Sequence, residues 1–109
     1  MTSANVIEAG DENFDQLVLA SGLPSLVDFW GPSCAPCIAS MPVVERLAEK
    51  YRDRLNVVKV NVNACPNIAL KYAVQSLPTL VLVKGGKVLG QYRGRIDPAS
   101  LDKFVQQAL

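Results

Sequence analysis

Leu26-Val27-Asp28-Phe29-Trp30-Gly31-Pro32-Ser33-Cys34-Ala35-Pro36-Cys37-Ile38-Ala39-Ser40-Met41-Pro42 is the stretch around which the rest of the chain is organised. Leu26 to Trp30 is nearly continuous apolar sequence, the pattern of a strand buried on both faces. Gly31-Pro32 breaks it, and an amphipathic helix follows from about Cys34 to Tyr51. Cys34 and Cys37 therefore fall where strand gives way to helix, with both sulfurs within reach of each other on the first turn. Cys34 sits beside unpaired backbone N–H groups and the positive end of the helix dipole. A thiolate is favoured there, and the thiolate is the reactive species. A second thiol one turn along can close a small disulfide loop, so the pair predicts thiol–disulfide exchange.

Working outward, Val6-Ile7 within residues 4–9 predicts an edge strand. Gly10-Asp11 offers a helix start with Asp11 as N-cap. Phe14, Leu17 and Val18 recur at helical spacing until Gly22 and Pro24. Downstream, Ile38, Met41, Val44, Leu47, Ala48 and Tyr51 form the apolar stripe of the long helix. Pro36 lies in the first turn, where a missing N–H is harmless, and Pro42 lies deeper, where a kink is expected. Leu55–Val62 reads as a strand with Val58, Val60 and Val62 on one face, and Pro66 opens a short helix through Tyr72. Leu77-Pro78 precedes a strand over Thr79–Val83. Lys84-Gly85-Gly86-Lys87 is a hairpin turn, and Val88–Tyr92 returns antiparallel. Asp97 as N-cap, Pro98 at the first helical position and an Ile96/Leu101 staple start the last helix. The order βαβαβαββα predicts one α/β domain over residues 1–109. It has a central mixed sheet of four to five strands, right-handed crossovers and helices on both faces.

Composition narrows the chemistry. Half of the 109 residues are hydrophobic, enough for one layered core, and the net charge is +1. That balance predicts neither nucleic acid nor a membrane surface as partner. The segment Met1–Asn5 lacks the basic stretch and apolar run of an export signal, and no run approaches a membrane span. Three cysteines are an odd number, which suits a reducing compartment. The chain has no histidine, which excludes Ser-His-Asp and Cys-His catalysis and histidine-bearing zinc sites.

Val27-Asp28-Phe29-Trp30, Cys34-Ala35-Pro36-Cys37, Pro42, Lys59, Leu77-Pro78-Thr79-Leu80, Gly85-Gly86 and Gly94 occur in unbroken order over nearly the whole chain. A Cys-x-x-Cys after a strand in a βαβ setting is a strong redox signal. In these residues the sequence resembles the thioredoxin family. The resemblance implies the thioredoxin fold and a cytoplasmic, monomeric protein-disulfide reductase. Its partners would be disulfide-containing target proteins and a thioredoxin reductase that recharges it. No cofactor is implied beyond the Cys34–Cys37 disulfide itself.

Cys34, first in the motif and nearest solvent, is the candidate nucleophile, and Cys37 the resolving thiol. Two structural core cysteines, or half of a metal site, is the alternative. Asp28 lies in an apolar strand, where burial raises a carboxyl pKa. That suits a proton acceptor for Cys37, the role the family implies; a satisfied structural Asp at a sheet edge is the other reading. Lys59, among valines, is a candidate charge partner of Asp28, or snorkels to water. The resemblance further implies a cis Leu77-Pro78 bond that turns the Leu77 backbone toward Cys34, with Trp30 and Gly94 completing a contact surface for target peptides. Trp30 as a simple core aromatic stays open.

The sequence departs from the family at five positions. Ser33 stands where an aromatic is usual, Ala35 where glycine is, and Ile38 where a basic residue is, while Arg93 and Arg95 flank Gly94 in place of small or apolar residues. Arg93 or Arg95 is thus a candidate modulator of the Cys34 thiolate and of partner charge; two solvated surface arginines is the alternative. Cys65, beside a helix start, reads as a small, partly buried residue, with regulation by glutathionylation or dimerisation as the other possibility. Two competing functions remain at this point. One is a thioredoxin-fold binding module or assembly clamp with little redox activity. The other is a disulfide oxidase or isomerase.

Overall fold

The computed structural model describes residues 5–109. Five strands, β1 (Val6–Glu8), β2 (Ser25–Trp30), β3 (Asn56–Asn61), β4 (Thr79–Lys84) and β5 (Lys87–Arg93), form one sheet in the order β1-β3-β2-β4-β5. Helices α1 (Ala35–Lys50), α2 (Pro66–Lys71) and α3 (Pro98–Gln106) and a wide helical turn over Asp15–Leu19 lie between and after them. The expected βαβαβαββα order is present. Of the edge strand read over residues 4–9, residue 4 lies outside the described residues, as do the first four residues of the segment compared with an export signal.

The sheet is mixed: β3 runs parallel to β1 and β2, while β4 is antiparallel to β2 and β5. Period-two alternation sorts its side chains into two cores. On one face Leu26, Val57, Leu80 and Leu82 pack against Val44, Leu47 and Ala48 of α1 and Leu101 and Val105 of α3. On the other, Val27, Phe29, Val58, Val60, Val81 and Val83 pack against Phe14, Val18, Ile68 and Ala69. β2 is central, so Leu26, Val27 and Phe29 are all fully buried.

Local chemistry sets the ends. The Asp97 carboxylate accepts from Ser100 N–H at 2.9 Å to cap α3, with Pro98 in its first turn. Gly85 and Gly86 take φ +59° and +78°, as the tight hairpin between Lys84 and Lys87 requires. A bulge at Leu82/Val83 offsets β5 beyond it. At the far end of α1, Tyr51 Oη donates to Asp102 at 2.6 Å, and Lys50 pairs with the same carboxylate, tying α1 to α3.

Three expectations need correction. Asp11 does not cap the first helical segment; Asn13 Oδ1 accepts from Gly10 N–H at 2.7 Å instead. That segment is a short turn with an i→i+5 bond from Ala20 N–H to Asp15 C=O, and it stops before Gly22. Asn56 of β3 donates to the Leu17 carbonyl, which satisfies its last turn from the sheet. Ile38 is 55% exposed and Met41 only half-buried, so the buried stripe of α1 is Cys37, Ser40, Val44, Leu47 and Ala48. Helix α1 continues through Pro42 without interruption.

Two helical leucines separate core from surface. Leu101 is fully buried and Leu70 is 79% exposed. Leu101→Ala is expected to lower unfolding stability by roughly 2–5 kcal/mol and Leu70→Ala to change it by no more than about 0.5 kcal/mol, read from urea unfolding.

Candidate active site

The site is built where β2 delivers the chain into α1. After Trp30 the chain turns through Gly31–Cys34, closed by Cys34 N–H donating to Gly31 C=O at 3.1 Å. Cys34 has extended backbone and is the N-cap of α1; its sulfur accepts from Cys37 N–H at 3.2 Å. One of the donors left open at a helix start is thus aimed at Cys34 Sγ. Cys34 and Cys37 are joined as a disulfide, Cα–Cα 5.3 Å. Cys34 is partly exposed, whereas Cys37 is 1% exposed on the face of α1 that packs on the sheet. Ser40, one turn on, donates its hydroxyl to Cys37 C=O at 2.9 Å.

Asp28 is 1% exposed on the sheet face that α1 covers, and neither carboxylate oxygen has a hydrogen-bond partner among the described residues. Burial pushes its pKa up to about 7, and the nearby Lys59 charge acts in the opposite sense. Lys59 is Asp28's register neighbour on β3 and is itself buried. It makes no direct ion pair with Asp28; its ammonium lies over the Trp30 ring, 5.1 Å from the centroid. Asp28 is therefore an internal carboxyl in the central strand, not a satisfied residue at a sheet edge.

Two further loops come to the same end of the sheet. The Leu77-Pro78 bond is cis. Leu77 approaches Gly31 so closely that a Cβ there would lie 3.3 Å from Leu77 Cδ1. Gly94 follows β5 at φ +88°, a conformation suited to glycine. Pro36, Ala39 and Ser40 of α1 face Leu77, Pro78, Gly94, Arg95 and Ile96 across a groove of about 380 Å³. On the other flank of α1, Trp30 and Lys59 border a second groove with Ile38, Met41, Pro42 and Glu45. Ser33 is exposed in the turn before Cys34.

The structure brings Cys34 and Cys37 together and sets Leu77, Pro78, Gly94 and Arg95 along one groove, with Trp30 and Lys59 along the other. Arg93 is not on either groove; its guanidinium donates to Gln91 at 2.7 Å. Cys65 is buried in the opposite core, its thiol pushed up by burial and by the charges of Asp11, Glu12 and Glu8. Ser40, Ala39 and Glu45 were not read as site residues in the sequence, and Ile96 was read only as a staple for α3. The positions of Ser40 and Ala39, within one turn of Cys37, were the available signal.

Over residues 5–107 the chain matches the family model for thioredoxin. The chain belongs to the thioredoxin family. It is 40% identical to thioredoxin C-2 of Corynebacterium nephridii over 105 residues, 96% of this chain and 97% of that relative. Identity is 42% to thioredoxin 2 of Chlorobaculum tepidum, over 96% of each chain. It is 41% to the chloroplastic M-type thioredoxin of Chlamydomonas reinhardtii, over 94% of this chain and 75% of that relative. With its Cys34–Cys37 disulfide the chain is a thiol–disulfide oxidoreductase that reduces protein disulfides. The clamp and oxidase readings are not favoured. Thioredoxins need no cofactor, and their family implies disulfide-containing targets and a reductase as partners. Among the described residues, no group of three or more cysteine or carboxylate side chains could hold a metal ion. No helix there is long and apolar enough to cross a membrane.

The Asp28 carboxyl makes stability depend on pH. Folded protein keeps the Asp28 proton until about pH 7, while the unfolded chain releases it near 3.8. Stability from this group is fully present below pH 3.8 and is lost as pH rises through 7. Oxidised protein is expected to be less stable at about pH 8 than at about pH 5, by roughly 3 kcal/mol. Urea midpoints at the two pH values check this, and Asp28→Asn should remove most of the difference.

Proposed function

We propose that Cys34 attacks and Cys37 resolves, in a single thioredoxin domain spanning residues 1–109. The observation that carries this reading is the asymmetry of the pair: Cys34 is partly exposed at the helix mouth and Cys37 is buried one turn in. In the reduced protein the Cys34 thiolate attacks one sulfur of a target disulfide. A new S–S bond forms, the target bond breaks, and its electron pair leaves on the second target sulfur, which takes up a proton. Cys37 then loses its proton and attacks Cys34 Sγ. The mixed disulfide breaks, the target leaves with both sulfurs reduced, and the Cys34–Cys37 disulfide remains. Two electrons have passed to the target, and a thioredoxin reductase returns two to this chain.

Asp28 is the proton acceptor for Cys37. It is buried beneath α1, the helix whose buried face carries Cys37. A carboxyl with a pKa of about 7 is part ionised at neutral pH and so can both accept and release a proton. Lys59, beside it in register, keeps that pKa from rising further. Trp30, Ser33, Leu77, Pro78 and Gly94 form the contact face for the target segment. Leu77 makes no backbone–backbone hydrogen bond among the described residues, so its peptide groups are open to an extended partner strand. The protein works as a cytoplasmic monomer, on proteins rather than on nucleic acid or membranes. The near-zero net charge and the bacterial relatives support this.

Insulin reduction with dithiothreitol tests the reading. Wild type should accelerate it, and Cys34→Ser should fall to the uncatalysed rate. Cys37→Ser should turn over no better, yet accumulate mixed disulfides through Cys34, seen as a mass increase that dithiothreitol reverses. Activity of Cys34→Ser equal to wild type would overturn the assignment.

A further inference from the structure

The groove between α1 and the Leu77-Pro78 loop is apolar or neutral along its walls except at Arg95. Arg95 is exposed, and its backbone carbonyl accepts from Tyr92 Oη at 2.9 Å, which holds the residue at the groove. Its guanidinium has no ion pair or side-chain hydrogen bond among the described residues. Asp97, two residues on, feels the Arg95 charge, but its Oδ1 is engaged by Ser100 N–H at the start of α3. The neighbouring arginine is committed elsewhere: Arg93 donates to Gln91, and Gln91 donates to Tyr72 C=O at 3.1 Å. The second groove, across α1, carries one charge of each sign, Glu45 and Lys59, and so offers no net preference. One unpaired cation therefore stands in the groove beside the cis-proline loop.

We propose that Arg95 is a specificity-determining residue that favours target disulfides flanked by a carboxylate side chain. This deepens the docking reading above and rests on it. An extended target segment lying along the Leu77 backbone brings the residues next to its cysteine over this groove, where an acidic side chain meets the guanidinium. The apolar walls at Pro36, Pro78 and Ile96 reduce its exposure to water and strengthen the attraction. The pair is formed during encounter and in the mixed disulfide, so it acts on the rate of attack.

The test uses two synthetic peptides, each closed by one internal disulfide, identical except for Glu or Gln on both sides of one cysteine. Second-order rate constants for reduction by the dithiol form of the protein are measured. Each is divided by that peptide's rate with dithiothreitol, which removes intrinsic reactivity. The normalised Glu/Gln ratio is expected to be about two- to fivefold at low salt, the range for one exposed charge pair. It should approach one at about 1 M salt. Arg95→Gln should abolish the preference, Arg95→Lys should retain part of it, and Arg93→Gln should leave it in place. A wild-type ratio of one, or a ratio unaltered in Arg95→Gln, overturns the proposal while leaving the reductase reading intact. If wild type reduces neither peptide faster than Cys34→Ser does, the reductase reading fails and takes this inference with it.

Discussion

The pairing of β2 on both sides is the constraint on which the rest depends. β3 and β4 hold it from Ser25 to Phe29, and β3 continues to Trp30. A strand so fixed cannot shift register without turning Leu26, Val27 and Phe29 out of two cores at once. The chain therefore leaves β2 at a defined point and direction. Four residues later Cys34 begins α1, whose buried stripe is fastened to the same sheet. The inner sulfur belongs to that stripe and the outer sulfur to the cap, so their unequal exposure follows from the strand's position.

The same constraint places a carboxyl where it is costly. Asp28 occupies the one polar position on β2 between Leu26 and Trp30, with Leu80 on one side in register and Lys59 on the other. A hydrophobic residue would serve the core better, because an unpartnered buried carboxyl opposes folding whenever it is ionised. Lys59 softens the penalty without removing it, since its ammonium is drawn to the Trp30 ring. The sheet thus carries a carboxyl whose pKa burial raises to about 7, on the face that α1 covers, at a cost in stability whenever it ionises.

Much of this was legible in the sequence because it is written in strong local signals. The apolar run at Leu26–Trp30, the Cys-x-x-Cys after it, the glycine pair at the hairpin and the Asp97-Pro98 start of α3 each specify their element almost alone. What was misread depended on tertiary partners. Asp11 and Asn13 are both good capping residues, and only the fold decides that Asn13 turns back to Gly10. Ile38 looks like a core position by helical spacing. The helix rotates so that Cys37 and Ser40 face the sheet, leaving Ile38 to border the Trp30 groove. Arg93 and Arg95 are equivalent in sequence, two residues apart around Gly94. Only the fold separates them, one tied to Gln91 on β5 and the other set on the groove.

The central claim is that the two sulfurs are unequal, one presented to partners and one withheld. Brief exposure of the reduced protein to limiting iodoacetamide near neutral pH, with peptide mass spectrometry to locate the label, tests it most directly. The account predicts label on Cys34 well before Cys37, with Cys65 slower than Cys34 as well. Labelling of Cys37 as fast as Cys34 would contradict it.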